Sequence, residues 1–148
     1  AAAIRRHATA WAVASASVEE IDTLNILQAT LLAMRRAILH ITPTPNQIRI
    51  DGRDCPSGFE NADIQAVIRG DSLIPAISAA SILAKTERDR LMVSLDAEYP
   101  SYGFKQHKGY PTRQHIAALM QYGPSPHHRR SFKPVTLALQ MFRHREIK

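Results

Sequence analysis

Residues 47–72 read QIRIDGRDCPSGFENADIQAVIRGDS and contain two short apolar runs, each closely followed by an aspartate. The first run ends at Asp51 and the second leads to Asp71. β-Branched residues, and the alternation of apolar with polar side chains, favour strands over 47–51 and 64–69. If these strands are neighbours in one sheet, both carboxylates lie at the same edge, where their oxygens can bind a hard divalent cation such as Mg²⁺.

A simpler interpretation of the two aspartates stays open. Asp51 precedes a glycine, which is a common turn sequence, and Asp71 with the following serine can cap a turn. Neither motif is specific by itself. Without further residues, the turn interpretation is the commoner one for such sequences.

Composition restricts the class of protein. The 148 residues suffice for one domain with a hydrophobic core, and a single domain over 1–148 is predicted. No run of about eighteen uncharged apolar residues occurs, so no membrane-spanning helix is expected. Cys55 is the only cysteine, which fits a reducing, cytoplasmic location. The net charge of +6 favours a polyanionic partner.

Hydrophobic periodicity predicts the order β, α, β, β, α, α, α, which is typical of a layered α/β fold. Besides the two strands above, the predicted elements are a strand over 9–16 and helices from about Ser17, from about Ile77 to Glu98, from Thr112 to Tyr122 and from about Pro134. The first helix begins with a Ser17–Glu20 capping box. Its expected buried stripe comprises Leu24, Leu27, Leu31, Met34 and Ile38, and that of the long helix comprises Ile77, Ala80, Ala84, Leu91 and Leu95.

A basic loop over 107–112 carries Tyr110 beside His107 and Lys108. The ring can stack on a sugar or base while the lysine meets a phosphate, or it can pack against the next helix in an ordinary surface turn. Both interpretations stay open. Lys85 and Arg88 can likewise face phosphates or pair with neighbouring acidic residues on their helix, and pairing is commoner.

These motifs together resemble those of bacterial ribonuclease HII, the type 2 ribonuclease H. The matching segments follow the family's order and cover nearly the whole chain: EIDTLNI (20–26), IDG (50–52), GDS (70–72), SAASILAK (78–85), RD (88–89), YGF (102–104), HKGYPT (107–112) and HRRSFKPV (128–135). The resemblance implies a ribonuclease H-like fold, a mixed sheet flanked by helices with a helical C-terminal part. It also implies cleavage of RNA in RNA–DNA hybrids and at ribonucleotides embedded in duplex DNA.

The resemblance also implies roles for particular residues. The family's metal site uses four carboxylates, and Asp51 and Asp71 match the third and fourth. They would hold Mn²⁺ or Mg²⁺ in a two-metal reaction that leaves 5′-phosphate and 3′-hydroxyl ends. Tyr110 matches the tyrosine that stacks on the sugar at the ribose-to-deoxyribose junction. The substrate-binding candidates are Tyr110, Lys108, His107, Lys85, Asn25 and Arg129.

The sequence departs from the family's pattern at one point. The first two carboxylates belong to an Asp-Glu pair that is followed by a Gly-Arg-Gly loop, and neither motif occurs here. We therefore expect an N-terminally truncated ribonuclease HII that is nearly inactive alone and monomeric in its complete form. Two alternatives stay open: a catalytically dead module that binds hybrids, and an unrelated α/β protein whose aspartates only make turns.

Overall fold

The structure is a computed structural model that describes residues 1–146. Its helices are α1 Ala2–His7, α2 Val18–Leu24, α3 Ile26–Leu39, α4 Gly70–Leu73, α5 Pro75–Glu98, α6 Phe104–His107, α7 Arg113–Tyr122 and α8 Lys133–Glu146, and its strands are β1 Gln47–Asp51 and β2 Asp63–Val67. A 3₁₀ turn covers Pro100–Tyr102. None of the described helices has the length and apolarity needed to cross a membrane.

The chain divides into two compact units. The first contains Ala1–Ser17 and Leu24–Glu87, and the second contains Val18–Thr23 and the chain from Arg88 onward. The single domain expected from chain length stays a prediction.

In the first unit, β1 and β2 pair in parallel, with Gln47 opposite Asp63 and Asp51 opposite Val67. This confirms that the two predicted strands are neighbours, although β2 ends two residues earlier than predicted, at Val67 rather than at 69. Alternate residues of β1 are buried, because one face of the strand packs against a helix. Together with the helices, this parallel pair confirms the α/β class.

The core of this unit places helix α3 on the sheet. Ile38 of α3 forms a buried cluster with Ile48 and Ile50 of β1, and Met34 and Phe59 pack at its side. Apolar positions on α3 and on one face of β1 therefore bury each other. This packing holds the carboxyl end of β1 in place.

The prediction of a strand over residues 9–16 is wrong. No strand forms over 9–16, because a strand requires a hydrogen-bonded neighbour and the described residues provide none there. The segment is instead held by side chains: the Arg5 guanidinium lies 4.6 Å from the Trp11 ring centroid, and Arg36 donates a 3.0 Å hydrogen bond to the Ser15 carbonyl. Helix α1 was not predicted.

The single helix expected from Ser17 is divided into α2 and α3 at Asn25. Asn25 has φ 71° and ψ 166°, a backbone conformation that breaks a helix and that asparagine tolerates better than most residues. The predicted stripe is therefore wrong at its start, since Leu24 is 40% and Leu27 48% exposed, whereas Ile38 is buried as expected.

The long helix α5 forms as predicted, but its buried face differs. Ile77 and Leu95 are buried as expected, whereas Ala80, Ala84 and Leu91 are exposed. Leu83 is buried instead. Small residues on a helix do not by themselves indicate the face that packs, since alanine is common on both faces.

Within the second unit, the predicted helix signals around α7 are confirmed. The Thr112 side chain caps α7 by accepting a hydrogen bond from the His115 N–H at 3.2 Å, and Gly123 with φ 79° follows its last residue. Leu119 of α7 packs with Val135 and Ala138 of α8 in a buried cluster. This helix pair supports the loop that precedes α7.

Candidate functional site

The two predicted metal ligands lie close together in the first unit. Asp51 is the last residue of β1, and Asp71 is the second residue of α4, which begins after the short turn that follows β2. The Gly70 N–H donates a 2.8 Å hydrogen bond to Oδ1 of Asp51. The Asp51 carboxylate therefore lies beside the residue that precedes Asp71, and both aspartates are exposed to solvent.

The tight turn between β2 and α4 makes this approach possible. Arg69 has φ 56° and ψ 37°, a left-handed conformation that turns the chain sharply into α4. Gly70 is buried, and a Cβ atom there would lie 2.6 Å from Cδ1 of Ile77 and 3.5 Å from Oδ1 of Asp51. Only glycine fits without displacing its neighbours. Sequence reasoning identified the aspartates but missed the part played by Gly70.

The chemistry of this pair fits Mg²⁺ or Mn²⁺. Mg²⁺ is usually bound by one or two carboxylates together with water and substrate phosphates, rather than by a complete cage of protein ligands. Two exposed carboxylates meet that requirement. Among residues 1–144, whose side chains the structure describes, no group of three or more His, Cys, Asp or Glu could hold a metal ion.

Two further candidates belong to the same unit. The Asn25 side chain caps helix α3, and its Oδ1 accepts hydrogen bonds from the N–H groups of Leu27 at 2.9 Å and Gln28 at 3.1 Å. Lys85 is exposed on α5. Asn25 thus has a structural task that its position in the matching segment did not reveal.

The loop that carries Tyr110 lies in the second unit. Lys108 and Gly109 have φ values of 51° and 80°, which reverse the chain after α6. The Arg88 guanidinium donates a 3.2 Å hydrogen bond to the Lys108 carbonyl, so Arg88 supports the loop. Tyr110 is 62% exposed. This exposure disfavours the alternative in which its ring packs against the next helix.

His107 is placed differently from its neighbours in this loop. It is 7% exposed, its Nε2–H donates to the Tyr102 carbonyl at 2.8 Å, and its Nδ1 accepts from the Gly109 N–H at 3.2 Å. Because both ring nitrogens are occupied and the ring is buried, the geometry does not favour direct contact with a substrate. His107 instead stabilises the turn over 107–109.

His107 is part of a buried cluster that sequence reasoning missed. Its ring stacks on that of His115, with centroids 4.1 Å apart, and Nε2 of His115 lies 3.0 Å from Nε2 of His128. Burial is the largest cause that lowers the pKa of His128 to about 4, and the nearby His115 is the second. Burial also lowers the pKa of His115. Only tertiary contacts bring positions 107, 115 and 128 together, and the matching segments that begin at His107 and His128 give no sign that these residues meet.

Arg129 lies in a loop that is held by Asp22. The Arg129 guanidinium carbon lies 4.9 Å from the Phe132 ring centroid. The Asp22 carboxylate accepts hydrogen bonds from the Arg130 N–H at 2.7 Å, the Ser131 N–H at 2.9 Å and the Ser131 hydroxyl at 2.5 Å. Burial raises the pKa of Asp22, but these hydrogen bonds outweigh it and leave the pKa lowered.

The predicted site residues therefore fall into two groups. The first unit contains Asp51, Asp71, Asn25 and Lys85, and the second contains Tyr110, Lys108, His107 and Arg129. Within the first group, the structure joins Asp51 to Gly70, the residue that precedes Asp71. Within the second, it joins His107 and Tyr110 through backbone hydrogen bonds of one loop, because the Tyr110 N–H donates to the His107 carbonyl at 2.8 Å.

Comparison with known proteins gives consistent results. The family model described as ribonuclease HII matches residues 2–135. A ribonuclease HII from Burkholderia thailandensis is 55% identical over 137 residues, which cover 93% of this chain and 63% of that protein. A ribonuclease HII from Bordetella pertussis is 56% identical over 132 residues, covering 89% of this chain and 65% of that protein. The chain thus matches less than two thirds of the length of each relative.

A solved structure supports the same fold. The crystal structure of the ribonuclease H2 from Pyrococcus horikoshii OT3 superimposes with a TM-score of 0.68 and covers 86% of this chain and 67% of that chain. The sequence identity is 24%, so the likeness concerns the fold. It confirms the α/β architecture predicted from the order of strands and helices.

Proposed function

We propose, because the chain belongs to the ribonuclease HII family, that it forms part of an endonuclease that cuts RNA in RNA–DNA hybrids and at ribonucleotides embedded in duplex DNA. The observation that supports this proposal is the hydrogen bond from the Gly70 N–H to the Asp51 carboxylate, since Gly70 directly precedes Asp71. A pair of exposed carboxylates at one end of parallel strands suits a metal-dependent phosphodiester hydrolase.

Asp51 and Asp71 would hold Mg²⁺ or Mn²⁺. When bound, the cation supplies Lewis-acid chemistry: it lowers the pKa of a bound water and offsets charge at the phosphate. The Gly70 N–H fixes the orientation of Asp51, since a carboxylate that accepts a backbone hydrogen bond loses rotational freedom. Asp71, on the first turn of α4, lies at the edge where Asp51 ends β1.

Tyr110 and Lys108 would contact the nucleic acid. Tyr110 exposes 62% of its surface, as a ring that stacks on a sugar or base requires. Lys108 precedes it by two residues and can meet a phosphate, and Arg129 offers a second cation. The net charge of +6 supports binding of a polyanion.

The chain alone is expected to bind hybrids with little cleavage. Asp51 and Asp71 provide two of the four carboxylates that the family resemblance implies, and a lower ligand charge weakens cation binding. The exposed Tyr110 favours a second candidate function for the isolated chain, a module that binds hybrids without cutting them. A monomeric complete protein and a cytoplasmic location stay predictions.

The first test compares Asp71→Asn with Asp54→Asn. Both residues are exposed aspartates of the first unit, but Asp54 lies in the loop after β1. Mn²⁺ binding is measured by calorimetry, and hybrid cleavage is followed on gels for each 148-residue variant. We expect Asp71→Asn to weaken Mn²⁺ binding at least tenfold, as loss of a charged ligand does, and Asp54→Asn to leave it unchanged.

The outcomes separate the candidates. Loss of Mn²⁺ binding and of residual cleavage with Asp71→Asn alone supports the nuclease. Unchanged hybrid binding with no cleavage by either form supports the binding module. A chain that binds neither Mn²⁺ nor hybrids would contradict both candidate functions for the isolated chain.

A further inference from the structure

Three buried histidines of the second unit, His107, His115 and His128, form a hydrogen-bonded and stacked cluster that we call the histidine chain. At one end, Nδ1 of His128 accepts hydrogen bonds from the Ser125 N–H at 3.0 Å and the Ser125 hydroxyl at 2.8 Å. At the other end, the His107 ring stacks on His115. All three residues are less than 9% exposed.

The partners of the histidine chain determine where each proton lies. Nδ1 of His115 lies 2.9 Å from the Tyr110 carbonyl, which only accepts, so this nitrogen carries the proton and Nε2 is an acceptor. Nδ1 of His128 accepts from the Ser125 N–H, so the proton of His128 is on Nε2, where it donates to Nε2 of His115. Every polar ring atom is satisfied when both histidines are neutral.

The histidine chain holds the backbone of Tyr110. The Tyr110 carbonyl accepts from Nδ1 of His115 and from the Thr112 N–H at 2.8 Å, while the Tyr110 N–H donates to the His107 carbonyl at 2.8 Å. The Tyr110 ring is exposed and takes no part in these bonds. The ring therefore projects from a backbone position that His107 and His115 of the histidine chain determine.

We propose that His115, oriented by His128, is a positioning residue that holds Tyr110 in the place where its ring meets the nucleic acid. This inference rests on the proposed function, specifically on the contact of Tyr110 with substrate. Neither histidine touches the substrate. They act through the Tyr110 carbonyl, and without that bond the loop has more conformations and binds the duplex less tightly.

The test uses two substitutions of His115 that differ in which ring nitrogen they replace. The amide of asparagine branches at Cγ, so His115→Asn places a donor near Nδ1 and keeps the bond to the Tyr110 carbonyl. The amide of glutamine lies near Nε2, so His115→Gln keeps an acceptor for His128 but loses that bond. Affinity for a fluorescent RNA–DNA hybrid is measured by anisotropy on the full 148-residue chain, with thermal unfolding of each variant measured alongside.

We expect His115→Gln to weaken hybrid binding about threefold to tenfold, as loss of a single hydrogen bond does, and His115→Asn to weaken it less. In a Tyr110→Ala background, His115→Gln should cause no further loss. A merely structural role would lower the unfolding temperature of both His115 variants without separating their affinities or depending on Tyr110.

The controls distinguish the contact of Tyr110 with nucleic acid from the positioning role of His115. If Tyr110→Ala alone leaves hybrid affinity unchanged, the proposed contact of Tyr110 is wrong and this inference is overturned with it. If Tyr110→Ala weakens binding but the two His115 variants bind equally well, only the positioning role is overturned.

A second measurement needs no substitution and stays decisive if the variants do not fold. Ring ¹⁵N NMR spectra of the wild-type chain at pH 7 report which nitrogen of each histidine carries the proton. The histidine chain requires the Nδ1–H form for His115 and the Nε2–H form for His107 and His128. A His115 that is protonated on Nε2 would overturn the inference.

Discussion

Acid is expected to destabilise the second unit through His128. Burial and the neighbouring His115 lower the pKa of His128 from its ordinary value of 6.5 to about 4 in the folded chain. Between these two pH values, the unfolded chain binds a proton at this position and the folded chain does not. The contribution of neutral His128 to the free energy of unfolding is therefore fully present above pH 6.5 and is lost as the pH falls towards 4.

The size of this effect follows from the shift. A pKa difference of about 2.5 units at 1.36 kcal/mol per unit corresponds to about 3 kcal/mol of unfolding free energy. Typical domains have total stabilities of about 5–15 kcal/mol, so this loss is a substantial fraction. The titratable groups around His128 are His115, His107, His127 and Tyr102. His115, whose pKa is also lowered by burial, adds to the loss in the same direction.

The assay is urea unfolding, followed by circular dichroism between pH 4 and pH 8. Wild type should lose about 3 kcal/mol or more over the lower part of this range. The variant His128→Gln should be less stable at pH 7 but show a smaller pH slope, because the titrating group is gone. His127→Gln, which replaces the adjacent exposed histidine, is the matched control and should keep the wild-type slope. An unchanged slope with His128→Gln would refute the reasoning.

Two further predictions concern supporting residues. Gly70→Ala places a Cβ 2.6 Å from Cδ1 of Ile77, and we expect a loss of about 1–3 kcal/mol in unfolding free energy and weaker Mn²⁺ binding by calorimetry. Adding Ile77→Val should recover part of the stability, and a fully tolerated alanine would contradict the steric argument. Asp22→Ala removes the acceptor for residues 130–131 and should cost about 1 kcal/mol in thermal unfolding, whereas Asp22→Asn should cost less because it keeps one acceptor oxygen.

Local patterns predicted that Asp51 and Asp71 lie at or just after the ends of two neighbouring strands because the decisive features are close in sequence, and their metal binding stays a prediction. The alternating residues of β1 and the apolar run of β2 identify strands, and a parallel arrangement then brings Asp51 and Asp71 to one edge. The series of matching segments indicated the ribonuclease HII family. The basic loop around Tyr110 is also a local signal, but its chemistry left two interpretations open, and the substrate role of Tyr110 comes from the family resemblance and stays a prediction.

Features that depend on distant contacts could not be predicted in this way. A strand over 9–16 was expected from side-chain type alone, yet strand formation depends on a neighbour. The break at Asn25 arises from one residue in an unusual backbone conformation within an otherwise helical pattern. The histidine chain requires residues 8 and 13 positions apart to meet: the rings of His107 and His115 stack, and Nε2 of His115 lies 3.0 Å from Nε2 of His128.

The two units share a way of holding the groups that we assign to function. In the first, a backbone N–H of Gly70 fixes the Asp51 carboxylate, and in the second, the His115 ring fixes the backbone of Tyr110. In both, the supporting group is buried and the supported group is exposed. Since a supporting group acts only through geometry, its loss should lower affinity without abolishing the chemistry. Substitutions limited to exposed residues would therefore identify Asp51 and Tyr110 but miss what orients them.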